Sequence, residues 1–226
     1  MNNYIGTRNE SALHRSLKFR YVGTGGRTEE VVGDFIADGI SESGELIEVQ
    51  TGSFGPLVKK IKEFSTLGKV RIVHPIAVTK IIEVYELDGT FVHRRKSPKK
   101  GSIWSVFDAL LYAPELPLTK NVVIEIVLAD ITEKRLKKGR SGRRRKETSI
   151  VNKELSAWHE SILFKKKSDF QRFIPFKKGE EFTVSSLAKH AGINTLIARK
   201  ALYVLTKMKV VKRIGKKRNA FIYCYP

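Results

Sequence analysis

Residues Gly33–Phe54, GDFIADGISESGELIEVQTGSF, set Asp38 at the end of one strand-like run and Glu48 inside the next. Alternate side chains of a strand share a face, so Asp34, Ile36 and Asp38 point one way, and Leu46, Glu48 and Gln50 share a face on the second run. SESG is a suitable turn between them, and pairing of the two runs brings Asp38 and Glu48 to one side. Glu10 is a third carboxylate, one turn before Leu13 and His14 and so on the apolar stripe of the first helix. It has a second reading, because Thr7 and Glu10 are spaced as a capping box. Converging carboxylates repel one another unless a cation lies between them, and hard oxygen ligands suit Mg²⁺ or Mn²⁺ rather than Zn²⁺. Such an ion lowers the pKa of a bound water and stabilises charge on a phosphodiester under attack.

The elements that must hold these groups are helices and strands in mixture. TRNESALHRSLKFRY carries a helical stripe of Leu13, Leu17 and Tyr21. VVGDFIAD, ELIEVQ, VRIVHPIAV, KIIEVYEL, TFVHRR and NVVIEIVL read as strands. SFGPLVKKIKEFSTLG reads as a helix with Pro56 in its first turn and Gly68 past its end. Strands with helices between and after them mean an α/β layer architecture.

Charge divides the chain. Residues 1–133 hold 17 Lys/Arg against 17 Asp/Glu, and residues 134–226 hold 26 against 6, so the whole net charge of +20 lies in the second part. A surface so basic attracts a polyanion, and DNA is the expected partner. Residues 134–150 read as a basic linker. HRRKSPKKGS, residues 93–102, is a second basic loop, a solvated cluster or a phosphate contact.

Residues 151–226 end in a helix, a turn at Gly192, a second helix from about Asn194 to Lys209, and a hairpin of VVKRI and AFIYCY joined by GKKRN. This order is that of a winged helix-turn-helix. Ile197, Ala201, Val204, Leu205 and Met208 make the inner stripe of the second helix. Asn194, Thr195, Arg199 and Tyr203 are what that helix offers to a major groove, with Lys216, Lys217 and Arg218 at the wing tip for phosphate.

A helix with a Glu, a strand ending in Asp38, ten residues to Glu48-Val49-Gln50, then a helix and another strand together resemble the PD-(D/E)XK nuclease superfamily over residues 9–78. The resemblance implies a restriction-endonuclease-like mixed sheet flanked by helices over residues 1–133. It makes Glu10 the first-helix acid, Asp38 the motif aspartate, Glu48 the motif glutamate and Gln50 the motif lysine. A neutral amide orients water or ligates through its oxygen but brings no positive charge. Lys60, flanking the Leu57, Ile61 and Phe64 stripe, is the substitute cation, and Lys59 points further to solvent. The expected activity is metal-dependent DNA cleavage targeted by the winged helix. The alternative is a DNA-binding regulator or structural protein on a nuclease fold that has lost catalysis.

Other chemistries lack their residues. The five histidines are scattered without metal-ligand spacing, and neither G-x-G-x-x-G nor G-x-x-x-x-G-K-[ST] occurs. One cysteine, Cys224, excludes an intrachain disulfide and fits a reducing compartment. With no apolar leader and no apolar run of the roughly 18 residues that read as a span, the expectation is a cytoplasmic protein that binds no membrane. A homodimer would supply the two sites needed to cut both strands.

Overall fold

The computed structural model describes residues 10–137 and 148–226, and shows a mixed α/β protein whose large sheet is flanked by helices. Helix α1, Ala12–Val22, is capped by Ser11, whose hydroxyl accepts the His14 N–H at 3.3 Å. The expected Thr7–Glu10 capping box therefore gives way to a cap one residue after Glu10, and Thr7 lies outside the described residues. VVGDFIAD divides into β1, Arg27–Val32, and β2, Phe35–Ile40, because Gly33 turns with φ 58°. Asp34 accordingly belongs to the turn and does not share a strand with Asp38.

Strand β3, Leu46–Val49, runs antiparallel to β2, and helix α2, Val58–Leu67, carries the chain over to β4, Val70–Tyr85, parallel to β3. The two expected strands VRIVHPIAV and KIIEVYEL are this one long strand, with a register irregularity between Ala77 and Thr79. Pro75 is tolerated within it because β3 pairs only as far as Val73 and β5, Phe91–Lys96, begins pairing at Ile81. Val73 O accepts the Gln50 N–H, so Pro75, two residues on, turns its nitrogen into the gap between those partners, where no ladder bond is lost. After helix α3, Val106–Leu110, strand β6, Val122–Lys137, lies parallel to β4, and β7, Thr148–Phe164, returns antiparallel to β6. The seven strands run in the order β1-β2-β3-β4-β6-β7, with β5 added on the outer half of β4.

The sheet is therefore not complete at residue 133. Residues 134–137 and 148–150, read from sequence as linker, are paired strand, and the rest of β7 belongs to this sheet rather than to the C-terminal module. The pairing of β6 with β7 is a contact between segments whose joint alternation is weak, which is why it was illegible. Residues 138–147 of the expected linker lie outside the described residues.

Both faces of the sheet are covered, as strand alternation requires when neighbouring residues such as Ile72 and Val73 are all apolar. Leu13 and Leu17 of α1 cluster with Ile47, Val73 and Val127, while Ile61 and Phe64 of α2 cluster with Phe54, Ile72 and Ile124. Gly39 has no side chain because Val22 Cγ2 would lie 2.3 Å from its Cβ; a larger residue there would lift α1 from β2.

The C-terminal part comprises β8 (Glu181–Phe182), α4 (Val184–Ala191), α5 (Thr195–Lys207), β9 (Lys212–Lys217) and β10 (Ala220–Cys224). Thr183 caps α4, Gly192 ends it in the left-handed conformation, and Asn194 caps α5. The three strands form a small antiparallel sheet in the order β8-β10-β9. The inner stripe of α5 is Ala198, Ala201, Leu202, Val204, Leu205 and Met208, with Ile197 only half-buried.

An aromatic cluster joins this part to the large sheet. Phe173, in a 3₁₀ turn over Lys167–Phe173, meets Phe107 of α3 at 4.6 Å between ring centroids and stacks on Phe164 of β7 at 5.8 Å. One hydrophobic core thus continues from α2 to α5. Replacing Phe173 by alanine empties the middle of that core, and urea denaturation should show a loss of about 3–5 kcal/mol. A loss below about 1 kcal/mol would mean that the cluster does not hold the two parts together.

Candidate active site and basic surface

The β2–β3 ladder ends at the Gly39–Ile47 pair, and beyond it the strands separate. There the Asp38 carboxylate takes the place of a ladder carbonyl, accepting the Val49 N–H at 2.7 Å. Glu48, one residue earlier on β3, is 5 % exposed. Lys60 of α2 reaches across to it, Nζ to Oε2 2.5 Å. That ammonium is the one partner of Oε2, which is buried and meets no other donor among the described residues. Burial first, and then the charge of Asp38, push the Glu48 carboxyl up to about 7 against the pull of Lys60. Asp38 feels burial in the same direction, but its hydrogen bond and charge contact with His14 hold it below the ordinary aspartate range.

Glu10 is not beside these two. The imidazole of His14 stands between, with Nδ1 2.6 Å from Glu10 Oε1 and Nε2 3.1 Å from Asp38 Oδ2. Burial opposes a charge on this ring, yet Asp38 and Glu10 together raise its pKa to about 9. Both ring nitrogens therefore donate, one to each carboxylate. Glu10 also accepts from Lys18 at 2.8 Å, and Lys18, 4 % exposed, reaches Glu29 at 2.5 Å. His14 is the one histidine that the sequence places near the acids, and the contact bears this out; Lys18 is not singled out there, although the i, i+4 series Glu10, His14, Lys18 is a readable sign of side chains that meet on one helix face.

Gln50 lies just past the end of β3, and its amide nitrogen donates to Ser53 O at 2.6 Å, inside its own turn. Lys60 is the cation the fold brings to Glu48. The fold unites Asp38, Glu48, Lys60 and His14, keeps Glu10 one side chain away, and occupies the Gln50 N–H₂ elsewhere. Among the described residues no three His, Cys, Asp or Glu side chains are grouped to hold a metal ion. Asp38 and Glu48 remain a two-carboxylate donor set. The buried Glu48 beside Asp38, its pKa raised by burial and by that neighbouring charge, fits a divalent cation of the Mg²⁺ type, which commonly takes one or two carboxylates and fills its other positions with water and phosphate oxygens. His14 and Lys60 face the two acids.

Beyond the end of β3, Thr51 and Ser53 face Lys80, Lys99 and Lys100 across a cleft of about 460 Å³. Two of these lysines come from the basic HRRKSPKKGS loop. His74 lines the same cleft and is buried; Nδ1–H donates to Gln50 O at 2.5 Å, and burial draws its pKa down to about 4.

On the C-terminal part, Thr195, Arg199 and Tyr203 are exposed along α5. Asn194 is committed to the cap, its Oδ1 accepting the Ile197 N–H at 2.9 Å. Lys216 and Lys217 lie on β9 and Arg218 in the turn, so the hairpin loop is tighter than GKKRN. Arg199, Tyr203, Lys217 and Arg218 line one groove between α5 and the hairpin, and Lys216 stands outside it. Arg213 and Phe221, also in that groove, were missed because a strand pattern does not reveal which helix its outer face meets.

A family model described as Domain of unknown function (DUF8091) matches residues 11–165. The match closes at the end of β7 and takes in Asp38, Glu48, Gln50 and Lys60. An uncharacterized protein of Treponema pallidum (strain Nichols) is 30% identical over 187 residues, covering 82% of this chain and 74% of that protein. No solved structure matches the chain.

The cleft histidine makes stability depend on pH. Its folded pKa of about 4 lies below the ordinary 6.5, so its contribution is present above 6.5 and is lost as pH falls through that interval towards 4. His74→Leu should lose on the order of 2–3 kcal/mol less than the native chain between about pH 7 and about pH 4.5 in urea melts. Equal losses would show that His74 is not held neutral.

Proposed function

We propose that this chain, which belongs to the DUF8091 family, is a metal-dependent DNA endonuclease of the PD-(D/E)XK type with a C-terminal winged helix. The observation that carries the reading is the convergence of Asp38, a buried Glu48 and Lys60 where β2 and β3 part. The order of parts supports it: a helix, a three-strand antiparallel meander, a crossover helix, then a strand parallel to the third. The C-terminal order of strand, two helices with a tight turn, and a basic hairpin supports the winged-helix half.

Asp38 and Glu48 would hold Mg²⁺ or Mn²⁺, whose role when bound is to acidify a water and neutralise charge on the attacked phosphate. His14 orients Asp38 through Nε2–H and is itself fixed by Glu10, so Glu10 acts as a positioning group rather than a ligand. Lys60 supplies the positive charge that Gln50 lacks, and Gln50 shapes the turn leading to the lysine-lined cleft. That cleft offers a phosphate contact on the same strand end as Glu48. Cutting both strands would take two copies of the chain, and a single cysteine suits a cytoplasmic setting. Among the described residues no helix is long and apolar enough to cross a membrane.

A second reading, a DNA-binding protein without turnover, is favoured by one observation: the Gln50 amide N–H is spent on Ser53 rather than aimed at the acids. Cleavage of labelled DNA with Mg²⁺ or Mn²⁺ separates the two. Asp38→Asn and Glu48→Gln should each reduce cleavage by about 100-fold or more while leaving DNA affinity in place. Binding without cutting, in any metal, sinks the endonuclease reading and leaves the second. The DNA-binding half has its own check. Replacing Lys217 and Arg218 by alanine should lower the slope of log affinity against log salt by about 2, and an unchanged slope removes the hairpin from the interface.

A further inference from the structure

We propose that the groove between α5 and the β9–β10 hairpin binds a single-stranded segment of DNA, stacking its bases on Tyr203 and Phe221. The inference rests on the DNA-binding half of the reading above and narrows its substrate to DNA with an unpaired stretch.

The groove encloses about 920 Å³, the upper end of the roughly 300–1,000 Å³ of small-ligand clefts. Its cations come from both walls: Arg199 and Lys207 from the helix, Arg213, Lys217 and Arg218 from the hairpin. Among the described residues no carboxylate lines it. In a protein whose first half carries as many acids as bases, an acid-free groove with five cations is a site for a polyanion.

Charge alone would suit duplex phosphates equally well. The aromatic rings decide otherwise. Tyr203 is 46% exposed and Phe221 40%, although each has an apolar ring. The Arg213 guanidinium lies 4.2 Å from the Phe221 ring centroid, and Lys207 Nζ 5.9 Å from that of Tyr203. Each ring thus carries a cation over one face and keeps an exposed part, which offers a base a stacking surface with an electrostatic rail for the backbone. The bases of an intact duplex cover one another's faces and cannot use such a platform, whereas the bases of a single strand can.

The experiment is fluorescence anisotropy in EDTA, where no metal-dependent cutting occurs. A labelled mixed-sequence oligonucleotide is compared with its blunt duplex, on the full chain and on the double variant Tyr203→Ala, Phe221→Leu. The leucine keeps the hairpin's apolar contact while removing the stacking face. The double variant should weaken single-strand binding by about tenfold or more beyond any loss on the duplex. Equal losses on both DNAs, or no loss on either, overturn the proposal. A 2-aminopurine base in the oligonucleotide reads stacking on the native chain, with no variant needed. Its emission should change as the groove fills, and unchanged emission at saturation overturns the stacking claim. Duplex binding with no response to a single strand defeats this inference alone. Failure to bind any DNA defeats the DNA-binding reading with it.

Discussion

Where β2 and β3 part, a side-chain carboxylate does the work of a main-chain carbonyl. Asp38 accepts the Val49 N–H and so satisfies a donor that the diverging strands would leave unpaired. The same divergence opens the space in which Glu48 and Lys60 meet, and it aims Asp38 at the His14 ring. A continued ladder would close that space. The site thus depends on the sheet ending its pairing at Gly39 and Ile47, and the close seat of Val22 against Gly39 holds α1 at the right depth for His14 to reach.

The electrostatics follow from this geometry. Two acids share a poorly solvated place and oppose each other's ionisation, which raises Glu48 and is answered at Asp38 by a protonated imidazole. Two cations, His14 and Lys60, thus face the two acids. Lys60 is the one donor that Glu48 Oε2 meets among the described residues. Perturbed acids in one place are how sites for acid–base or metal chemistry announce themselves, although structural ion networks perturb acids too. The Tyr21, Glu125, Arg71 and Glu45 group on the α1 side is a hydrogen-bonded structural network, each acid being matched by a donor.

The basic part is built into the sheet protein rather than hung from it. Phe164, Phe170 and Phe173 close the end of β7 over α3, and α5 rests on α3 with Lys200 bound to Asp108 at 2.6 Å. A continuous core limits the freedom of the groove relative to the Asp38–Glu48 site. In the proposed function this fixes how far along a DNA chain the two sites act.

How much of this was legible depends on range. Capped helices, short strands and the segregation of all excess charge into the second part are local or compositional, and residue order determined them. Asp38, Glu48 and Lys60 were readable as partners because strand alternation, a four-residue turn and one helix stripe lie within some twenty positions. The exact cap at Ser11, the placement of Glu10 behind His14 and the use of the Gln50 amide within its own turn were settled only by packing, since each depends on how α1 and the β3 turn rotate against the sheet. The pairing of β6 with β7 and the groove behind Phe221 depended on the tertiary structure for the same reason. Hydrophobic period states which face of an element is inner, but it carries no record of which other element that face will meet.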